Sequence, residues 1–353
     1  MKPRLNIQFP CKQQKVFWCG TEYVAAAGEY LLNHARSGIV MALRAALPIG
    51  GRVGVVAYNC HTVANAVEQA GCQPVFVDVT EDLHINEQHL AQLQLDALVL
   101  TNLFGIHNDI AAIRQAVGTL PVIVDNAHGY GLPVEGDFCV YSINQGKFPA
   151  LGEGGILRVN NPQYQAAIDA QYAALKGYSN LQEIKLYAMM LIKALMHTPW
   201  IYQAITLRLK KNRQAVACRE MVNARRMEKG VSRMYQQALP TIAEEITLQQ
   251  RNAQSWVDQL IENQWVKRMW YGDNAFMLIA ETDEPEQLKN YFAQQGIETA
   301  THFAKAIEWA REFGYTPGEC PMAEKLTKKL VMIPTYVPGT SLVDGAERLQ
   351  FRV

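Results

Sequence analysis

Three side chains that could bind and react with a cofactor lie at or just after the ends of two apolar runs between residues 121 and 155. The segment PVIVDNAHGYG ends its apolar run in Asp125, and GDFCVYSINQGKFPALGEGG ends its run in Ser142, with Lys147 close behind. Runs of this kind are typical of buried strands, so we expect the three side chains at strand ends on one side of a sheet. A carboxylate, a hydroxyl and an amine gathered in one place are the groups that pyridoxal 5′-phosphate requires.

Each group would have its own task on that cofactor. The Lys147 amine would form a Schiff base with the aldehyde. Asp125 would keep the pyridine nitrogen protonated, so that the ring can withdraw electrons. Ser142, together with N–H groups at a helix start, would bind the phosphate. Taken singly, the same residues also have structural interpretations: a helix cap, a strand end and a surface lysine beside a Gly-Glu-Gly-Gly turn.

A second phosphate-binding candidate lies near the beginning of the chain. Ser37-Gly38-Ile39 precedes the apolar-periodic stretch IVMALRAAL. A helix that starts here would point free N–H groups, and the positive end of its dipole, at an anion. The sequence therefore predicts phosphate binding at this helix start.

The elements that must position these residues can also be predicted. From residue 38 to about 160, apolar runs rich in Val, Ile and Phe alternate with amphipathic stretches. This alternation predicts right-handed crossovers and an α/β fold, in which a mostly parallel central sheet is flanked by helices and ligands lie beyond the carboxyl ends of the strands. The predicted strands are Val53–Ala57, Pro74–Val79, Ala97–Asn102, Pro121–Asp125, Phe138–Ser142 and Gly155–Val159, and the predicted helices are Val63–Ala70, Glu87–Leu95 and Asp109–Val117.

The second half of the chain has a different pattern. Residues 163–235 are predicted to be helical throughout, with one break at Pro199, and a long helix is predicted at about 240–263. The apolar segment 184–209 indicates helix packing or a dimer interface, with a docking surface for an apolar substrate or a membrane as the alternative.

The last ninety residues predict a small α+β domain. Its expected elements are the strand Phe276–Ile279, the helix Glu286–Gln294 and the strand Leu330–Ile333. We therefore divide the chain into a large cofactor-binding domain at 1–240, with a helical apolar insert at about 163–215, and a small C-terminal domain at 241–353.

Composition narrows the function classes. The 353 residues contain 33 basic and 33 acidic side chains, which argues against a chain whose overall field attracts nucleic acid. The sequence shows no signal peptide and no apolar stretch of membrane-spanning length. Its seven cysteines form no C-x-x-C pair and are interpreted as reduced thiols of a cytoplasmic protein. No Cys/His spacing typical of a metal site is visible.

Several segments together resemble a known family. They are SGIVMALRAAL, GRVGVVAYNCHTVANAVEQAGCQPVFVDV, LTNLFGIHNDI, VIVDNAHGYG, YSINQGKFPALGEGGIL and VNARRM. The chain is similar to the fold-type I, pyridoxal-phosphate-dependent sugar aminotransferases of the DegT/StrS type. The resemblance implies the fold of that superfamily, pyridoxal 5′-phosphate as cofactor, and amino transfer from glutamate to a nucleotide-linked keto-sugar in polysaccharide biosynthesis.

The resemblance also assigns roles to individual residues. Lys147 matches the Schiff-base lysine, Asp125 the partner of the pyridine nitrogen, and Ser142 a phosphate-binding hydroxyl. His128 falls where the family has a Gln or His near the ring hydroxyl, and Asn223 matches an asparagine that reaches the neighbouring subunit's cofactor. A homodimer with shared sites is therefore implied. The family's phosphate loop corresponds to Ser37, Gly38 and the Ile39 amide.

Some positions depart from the family pattern. Ile39 stands where a Thr is usual, which removes a hydroxyl donor worth about 1.5–3 kcal/mol if it bonds a charged group. Cys60 stands where the family has an aromatic residue that stacks on the ring, and Tyr58 or His61 are the candidates to replace it. Tyr58, His302 and Arg225 are the candidates for substrate contact. His302 can equally be a plain loop histidine, and the basic stretch that contains Arg225 is either a solvated helix face or a set of guanidinium groups that meets a nucleotide diphosphate.

Two alternatives to an aminotransferase remain. The same scaffold supports pyridoxal-phosphate-dependent sugar dehydratases, but these need another residue in place of the lysine, so Lys147 argues against that activity. A cofactor-binding homologue with lost or altered activity and a regulatory or scaffold role is the other alternative, and the departures at Ile39 and Cys60 allow it.

Overall fold

The computed structural model describes residues 14–206 and 217–335. Within them, a seven-stranded sheet has the order β1-β7-β6-β5-β4-β2-β3. The five strands β6, β5, β4, β2 and β3 are parallel, and β7 and β1 continue the sheet antiparallel. The strands are β1 Glu29–Leu32, β2 Arg52–Val56, β3 Gln73–Val77, β4 Ala97–Thr101, β5 Val122–Asn126, β6 Phe138–Ser142 and β7 Gly155–Val159.

The predicted α/β fold with a mostly parallel central sheet is confirmed. All six predicted strands are present within one or two residues of their expected bounds. The central strands β4, β5 and β6 are buried at every position, as the continuous apolar runs indicate, whereas β3 at the edge of the sheet is only partly buried. The short strand β1 was not predicted from the sequence. The strand order reverses between β2 and β4, so the crevice at the carboxyl ends of these strands is the expected place for a ligand.

Helices cover the sheet, and α2 is one of those that border the predicted site. A Cβ on Gly38 would be 3.0 Å from a Val140 side-chain carbon and 3.3 Å from Leu157 Cβ, so this glycine lets α2 approach β6 and β7 closely. The helices are α1 Gln14–Cys19, α2 Ala35–Ala46, α3 His61–Gln69, α4 Glu87–Leu90, α5 Ile110–Val117, α6 Gln165–Ala173, α7 Asn180–Met196, α8 Pro199–Ile201, α9 Lys229–Ala238, α10 Ile242–Leu260, α11 Pro285–Gln294, α12 Ala306–Arg311 and α13 Pro321–Leu326.

A second, antiparallel sheet of three strands lies in the C-terminal part. Its order is β10-β9-β8, with β8 at Arg268–Trp270, β9 at Met277–Glu281 and β10 at Leu330–Pro334. Trp256 of α10 and Phe292 of α11 belong to a separate hydrophobic cluster with residues of β9 and β10. The division into domains at 1–240 and 241–353 stays a prediction.

The chain between 163 and 235 is less helical than predicted. Residues 174–179 and 217–228 lie outside helices. The reason for the second interruption is the open edge of β1: Asn33 N–H donates to Arg225 O at 3.0 Å, and Met227 N–H donates to Leu31 O at 3.0 Å. Backbone pairing with β1 therefore replaces helical hydrogen bonds in this segment.

The outward face of α7 carries large apolar side chains. Leu181, Ile184, Ile192 and Leu195 are each more than half exposed, and helical spacing places them on one stripe. Only Leu186 and Met190 of this helix are buried. Among the described residues, no helix has the length and apolarity needed to cross a bilayer. Residues 207–209 of the predicted apolar segment lie outside the described residues.

We expect Gly155→Ala to destabilise the protein. A Cβ at this position would lie 2.2 Å from the His34 carbonyl carbon and 2.3 Å from the Ala35 nitrogen, so the start of β7 and the start of α2 would have to move apart. Steric overpacking of this kind costs about 1–3 kcal/mol. The thermal unfolding midpoint should fall, whereas Gly177→Ala, with no atom within 4 Å of its new Cβ, should leave it unchanged. Equal midpoints for both variants would contradict the proposed close contact.

Candidate active site

A cavity of about 210 Å³ lies at the carboxyl ends of β2, β4, β5 and β6, next to the start of α2. It brings together the side chains that the sequence places at separate strand ends. Asp125, Ser142 and Lys147 all line it, as do the predicted site residues Ile39, Cys60 and His128. The other lining residues are His34, Ala35, Arg36, Asn59, Thr62, Val63, Thr101, Ala127, Asn144, Gln145 and Phe303.

Lys147 reaches the cavity from the loop after β6. Its Nζ lies 2.6 Å from His128 Nε2. The Phe104 N–H donates to His128 Nδ1 at 3.3 Å, so we assign the proton of the neutral imidazole to Nε2. That proton can be donated only to an amine with a free lone pair. The contact therefore fits a neutral Lys147.

The electrostatics of the pair agree with this assignment. Burial lowers the pKa of Lys147, while the negative charges of Cys60 and Asp125 partly oppose the shift. Burial, the nearby charge of Lys147 and His302 hold the pKa of His128 well below its usual value. Both pKa values are shifted toward the neutral form of the group, and a neutral amine is the nucleophile that can attack an aldehyde.

Asp125 is the last residue but one of β5 and is 3% exposed. Its Oδ1 accepts a hydrogen bond from Ala127 N at 3.0 Å, and its Oδ2 accepts one from Thr101 Oγ1 at 3.2 Å. Thr101 Oγ1 in turn accepts from Asn59 Nδ2 at 2.8 Å. Burial raises the pKa of Asp125, although the hydrogen bonds from Ala127 and Thr101 and the charge of Lys147 work in the opposite direction. A buried carboxylate of this kind is stabilised by a positive partner, such as a protonated ring nitrogen.

Asn59 and Thr101 were missed by the sequence analysis. Each lies at or just after the end of a parallel strand, β2 or β4, and that position is the signal that could have found them.

His128 is enclosed by aromatic rings from distant parts of the chain. Its ring stacks with Phe104, Phe276 and Phe303, at centroid distances of 5.1, 5.0 and 5.8 Å. Asn274 Nδ2 donates to His128 O at 2.8 Å, which ties the loop after β5 to the start of β9. These contacts fix the imidazole beside the lysine.

The C-terminal loop that contains His302 and Phe303 closes this side of the site. The His302 ring lies 5.8 Å from that of His128, and Phe303 borders the cavity. Tyr58 is fully buried and donates from its hydroxyl to His302 O at 2.8 Å. Tyr58 thus anchors the loop. Neither Tyr58 nor His302 lines the cavity, but the His302 ring contacts the rings of His128 and Phe303, which do.

The predicted phosphate loop lies in the first turns of α2. The helix begins at Ala35, so the N–H groups of Ala35 and Arg36 are at its open end, and no side chain caps them. Ser37 is fully buried and donates from its hydroxyl to Asn33 Oδ1 at 2.9 Å. Ile39 borders the cavity with its side chain, while its N–H lies within the helix.

Asn223 and Arg225 do not line the cavity. Asn223 is exposed, and its backbone carbonyl oxygen accepts a hydrogen bond from Asn33 Nδ2 at 2.8 Å. Arg225 donates from Nη1 to Gly177 O at 3.2 Å and lies over the Tyr178 ring at 5.7 Å. Asn33, which the sequence analysis also missed, therefore connects the segment of Asn223 to the start of α2.

Comparison with known proteins places this geometry in a family. The model of the DegT/DnrJ/EryC1/StrS aminotransferase family matches residues 20–341. The chain belongs to this family. Comparison with curated proteins found no match. The family membership makes the chain an aminotransferase-type enzyme with pyridoxal 5′-phosphate as its cofactor.

Solved structures share the fold at low sequence identity. The sugar aminotransferase CalS13 from Micromonospora echinospora has a TM-score of 0.72 at 14% identity, with 99% of this chain and 98% of that chain covered. A GDP-4-keto-6-deoxymannose-3-dehydratase with a trapped PLP-glutamate geminal diamine has a TM-score of 0.72 at 16% identity, covering 99% of each chain. A DegT DnrJ EryC1 StrS aminotransferase from Brucella abortus has a TM-score of 0.67 at 19% identity, with 91% and 84% covered.

The residues around the cavity fit the family cofactor. An amine whose pKa is lowered by burial, a buried carboxylate and an uncapped helix start border one space, and these are the groups needed by an aldehyde, a ring nitrogen and a phosphate. In residues 14–206 and 217–335, no cluster of three or more His, Cys, Asp or Glu side chains could bind a metal ion.

Cys60, at the position where the family has an aromatic residue, presents a thiol to the cavity. Thr62 Oγ1 donates to Cys60 Sγ at 3.1 Å, and His61 Nδ1 lies 3.9 Å from the sulfur. Burial raises the pKa of this thiol, but the hydrogen bonds with His61 and Thr62 outweigh burial and lower it to about 7. His61 itself stacks edge-on with Trp309 at 5.0 Å and is not among the lining residues.

We expect alkylation of Cys60 by iodoacetamide to rise with pH around a midpoint near 7, because the thiolate is the reactive form. His61→Ala should move the midpoint to higher pH, and saturating pyridoxal phosphate should protect Cys60. Peptide mass mapping at several pH values would measure both effects. Cys218 is the internal control, since burial raises the pKa of its thiol. A Cys60 midpoint at or above 8.5 would contradict this assignment.

Proposed function

We propose that this protein transfers an amino group from glutamate to the keto group of a nucleotide-linked sugar. One observation carries the proposal: the Lys147 amine and the Asp125 carboxylate border one cavity at the carboxyl ends of the sheet. The lysine also argues against the dehydratase activity of some structural relatives, for which another residue in its place is required.

Pyridoxal phosphate supplies an aldehyde that condenses with amines and a ring that stabilises negative charge on the carbon next to the amine nitrogen. Asp125 would place negative charge against the ring nitrogen, and its hydrogen bonds from Ala127 and Thr101 fix its orientation. Ser142 and the open N–H groups at the start of α2 would bind the phosphate.

Lys147 has a second task in this proposal. Burial lowers the pKa of its Nζ, and in the neutral form this atom can accept the α-proton of the amino donor and later return it. The His128 Nε2–H, 2.6 Å away, orients the amine lone pair when the lysine is free. The aromatic rings around His128 exclude water from this side of the site.

The substrate class is supported by the family and by its structural relatives. DesI, whose structure was determined with its TDP-sugar product, has a TM-score of 0.67 to this chain at 17% identity. We propose that His302, beside the cavity, contacts the sugar, and that Tyr58 acts by holding the His302 loop. Arg225 lies outside the cavity, so its proposed contact is with the nucleotide end of the substrate.

We further propose a cytoplasmic enzyme of polysaccharide biosynthesis. All six cysteines in the described part of the chain are free, which fits a reducing compartment. Cys11 lies outside the described residues.

We also propose a homodimer with shared sites. The exposed Asn223 side chain is available to a neighbouring subunit. The four exposed apolar side chains on one face of α7 form the kind of patch that a partner subunit would bury. Met190, on the opposite face of α7, lies next to Gly152 in the loop after Lys147. A partner seated on α7 would therefore lie near the cavity.

Lys147→Ala should abolish covalent attachment of pyridoxal phosphate. The wild-type protein should show a visible absorbance band that changes on addition of glutamate, whereas the variant should show neither, because the amine that binds the aldehyde is missing. Borohydride reduction and mass spectrometry would locate the attachment. Lys289→Ala, which removes a surface lysine paired with Glu286, is the control.

Two results would contradict the aminotransferase. A cofactor still covalently attached in Lys147→Ala would exclude the assigned lysine. A wild-type spectrum that glutamate leaves unchanged would favour the regulatory or scaffold alternative. If neither result is found, a panel of nucleotide keto-sugars assayed for glutamate-dependent amination would identify the acceptor.

Ile184→Asp combined with Ile192→Asp should convert the dimer to a monomer. Both side chains are 55% exposed on α7, and two carboxylates would make burial of this face unfavourable. Size-exclusion chromatography with light scattering measures the mass. Val24→Asp, at an 84% exposed position away from α7, should leave the dimer intact. A dimer that survives the double substitution would rule out α7 as the interface.

A further inference from the structure

The phosphate end of the cavity contains a cation that the family pattern does not supply. Arg36 is the second residue of α2 and borders the cavity together with Ile39. The two are three residues apart on a helix and therefore share a face. Ile39 offers no hydroxyl to an anion, whereas Arg36 offers a planar set of N–H donors that matches phosphate.

The Arg36 guanidinium is not engaged by other protein groups. In residues 14–206 and 217–335, no carboxylate oxygen lies within 4.0 Å of it and no side chain or carbonyl accepts its hydrogen bonds. Arg36 also interacts electrostatically with the Glu153 carboxyl group. Burial raises the pKa of Glu153, and the Tyr178 hydroxyl donates a hydrogen bond to it. Arg36 therefore retains donors for a ligand.

Other charges around the cavity leave this role to Arg36. Burial and the charge of Arg36 lower the pKa of His34 to about 4, so this neighbour is neutral at physiological pH. Lys147 is the other basic residue among the lining side chains that the structure describes, and its amine is the one that attaches to the aldehyde. A phosphate with up to two negative charges would thus have one fixed cation beside it.

An independent feature marks the same end of the cavity as a ligand site. Ser142 is 3% exposed and borders the cavity, and among the described residues its hydroxyl has no hydrogen-bond partner. Because Ser142 borders the cavity, its hydroxyl is available to a ligand there. The uncapped N–H groups of Ala35 and Arg36 complete the set of donors.

We propose that Arg36 binds the phosphate of pyridoxal phosphate and replaces the hydroxyl that Ile39 lacks. This inference rests on the proposed function for the identity of the cofactor. It adds a residue to the phosphate site that neither the sequence motif nor the family resemblance assigns.

The test compares pyridoxal phosphate with pyridoxal, which lacks the phosphate. Apoprotein is titrated with each compound, and dissociation constants are measured by quenching of tryptophan fluorescence. Arg36→Gln should weaken pyridoxal phosphate binding by roughly ten- to hundredfold and leave pyridoxal binding unchanged, because one charge-assisted contact to phosphate is lost. Arg36→Lys keeps the charge without the planar guanidinium, so its dissociation constant for pyridoxal phosphate should lie between those of the wild type and Arg36→Gln.

Arg44→Gln is the matched control. Arg44 lies in the last turn of the same helix and donates to Gln69 O at 2.6 Å, away from the cavity. The Arg44→Gln protein should keep the wild-type ratio of the dissociation constants for pyridoxal phosphate and pyridoxal. Thermal unfolding of the apoproteins checks that each variant folds.

An unchanged ratio in Arg36→Gln would overturn the inference, whether both compounds or neither bind more weakly. If the ratio is unchanged and the KM for glutamate or for the nucleotide sugar rises, Arg36 binds a substrate anion and the inference is equally wrong. Failure of the proposed function would look different, because it would appear in the wild-type protein itself: the protein would bind pyridoxal phosphate with a spectrum that glutamate leaves unchanged, or would bind neither pyridoxal phosphate nor pyridoxal.

Discussion

The free-energy cost of a buried positive charge is the constraint on which this site depends. A lysine amine in water is protonated and cannot attack an aldehyde, and removal from water favours its neutral form. The protein places Lys147 against His128, with aromatic rings behind the imidazole, so that burial lowers the pKa of the amine. The opposing charge of Asp125 limits this shift without reversing it.

This environment is built from parts of the chain that are far apart in sequence. The large sheet supplies Asp125 and the loop of Lys147, whereas Phe276 and Phe303 come from the C-terminal part. Asn274 and the Tyr58 hydroxyl hold the two parts together through backbone carbonyls of His128 and His302. The loops next to the small sheet therefore take part in shaping the site, and a shift of these loops would change the surroundings of the Lys147 amine.

Close backbone packing positions the end of the cavity that is formed by the start of α2 and Ser142. Gly38 allows α2 to lie against β6 and β7, and Gly155 allows the start of β7 to meet the start of α2. The helix start is thereby fixed beside Ser142, with its N–H groups uncapped. In this setting the loss of a hydroxyl at Ile39 leaves room for an arginine one turn earlier to meet the same anion, because residues three apart share a helix face.

The sequence by itself determined the parallel strands and the three residues at their ends, because continuous apolar runs and the positions just after them are local properties. It also determined the family, through motifs that remain contiguous in the chain. It did not reveal β1, which is four residues long, or that residues 225–227 pair with it and interrupt the predicted helix. The partners of Asp125, the anchoring role of Tyr58 and the position of Arg36 were decided only by the tertiary structure, since each depends on contacts between segments that no local pattern brings together.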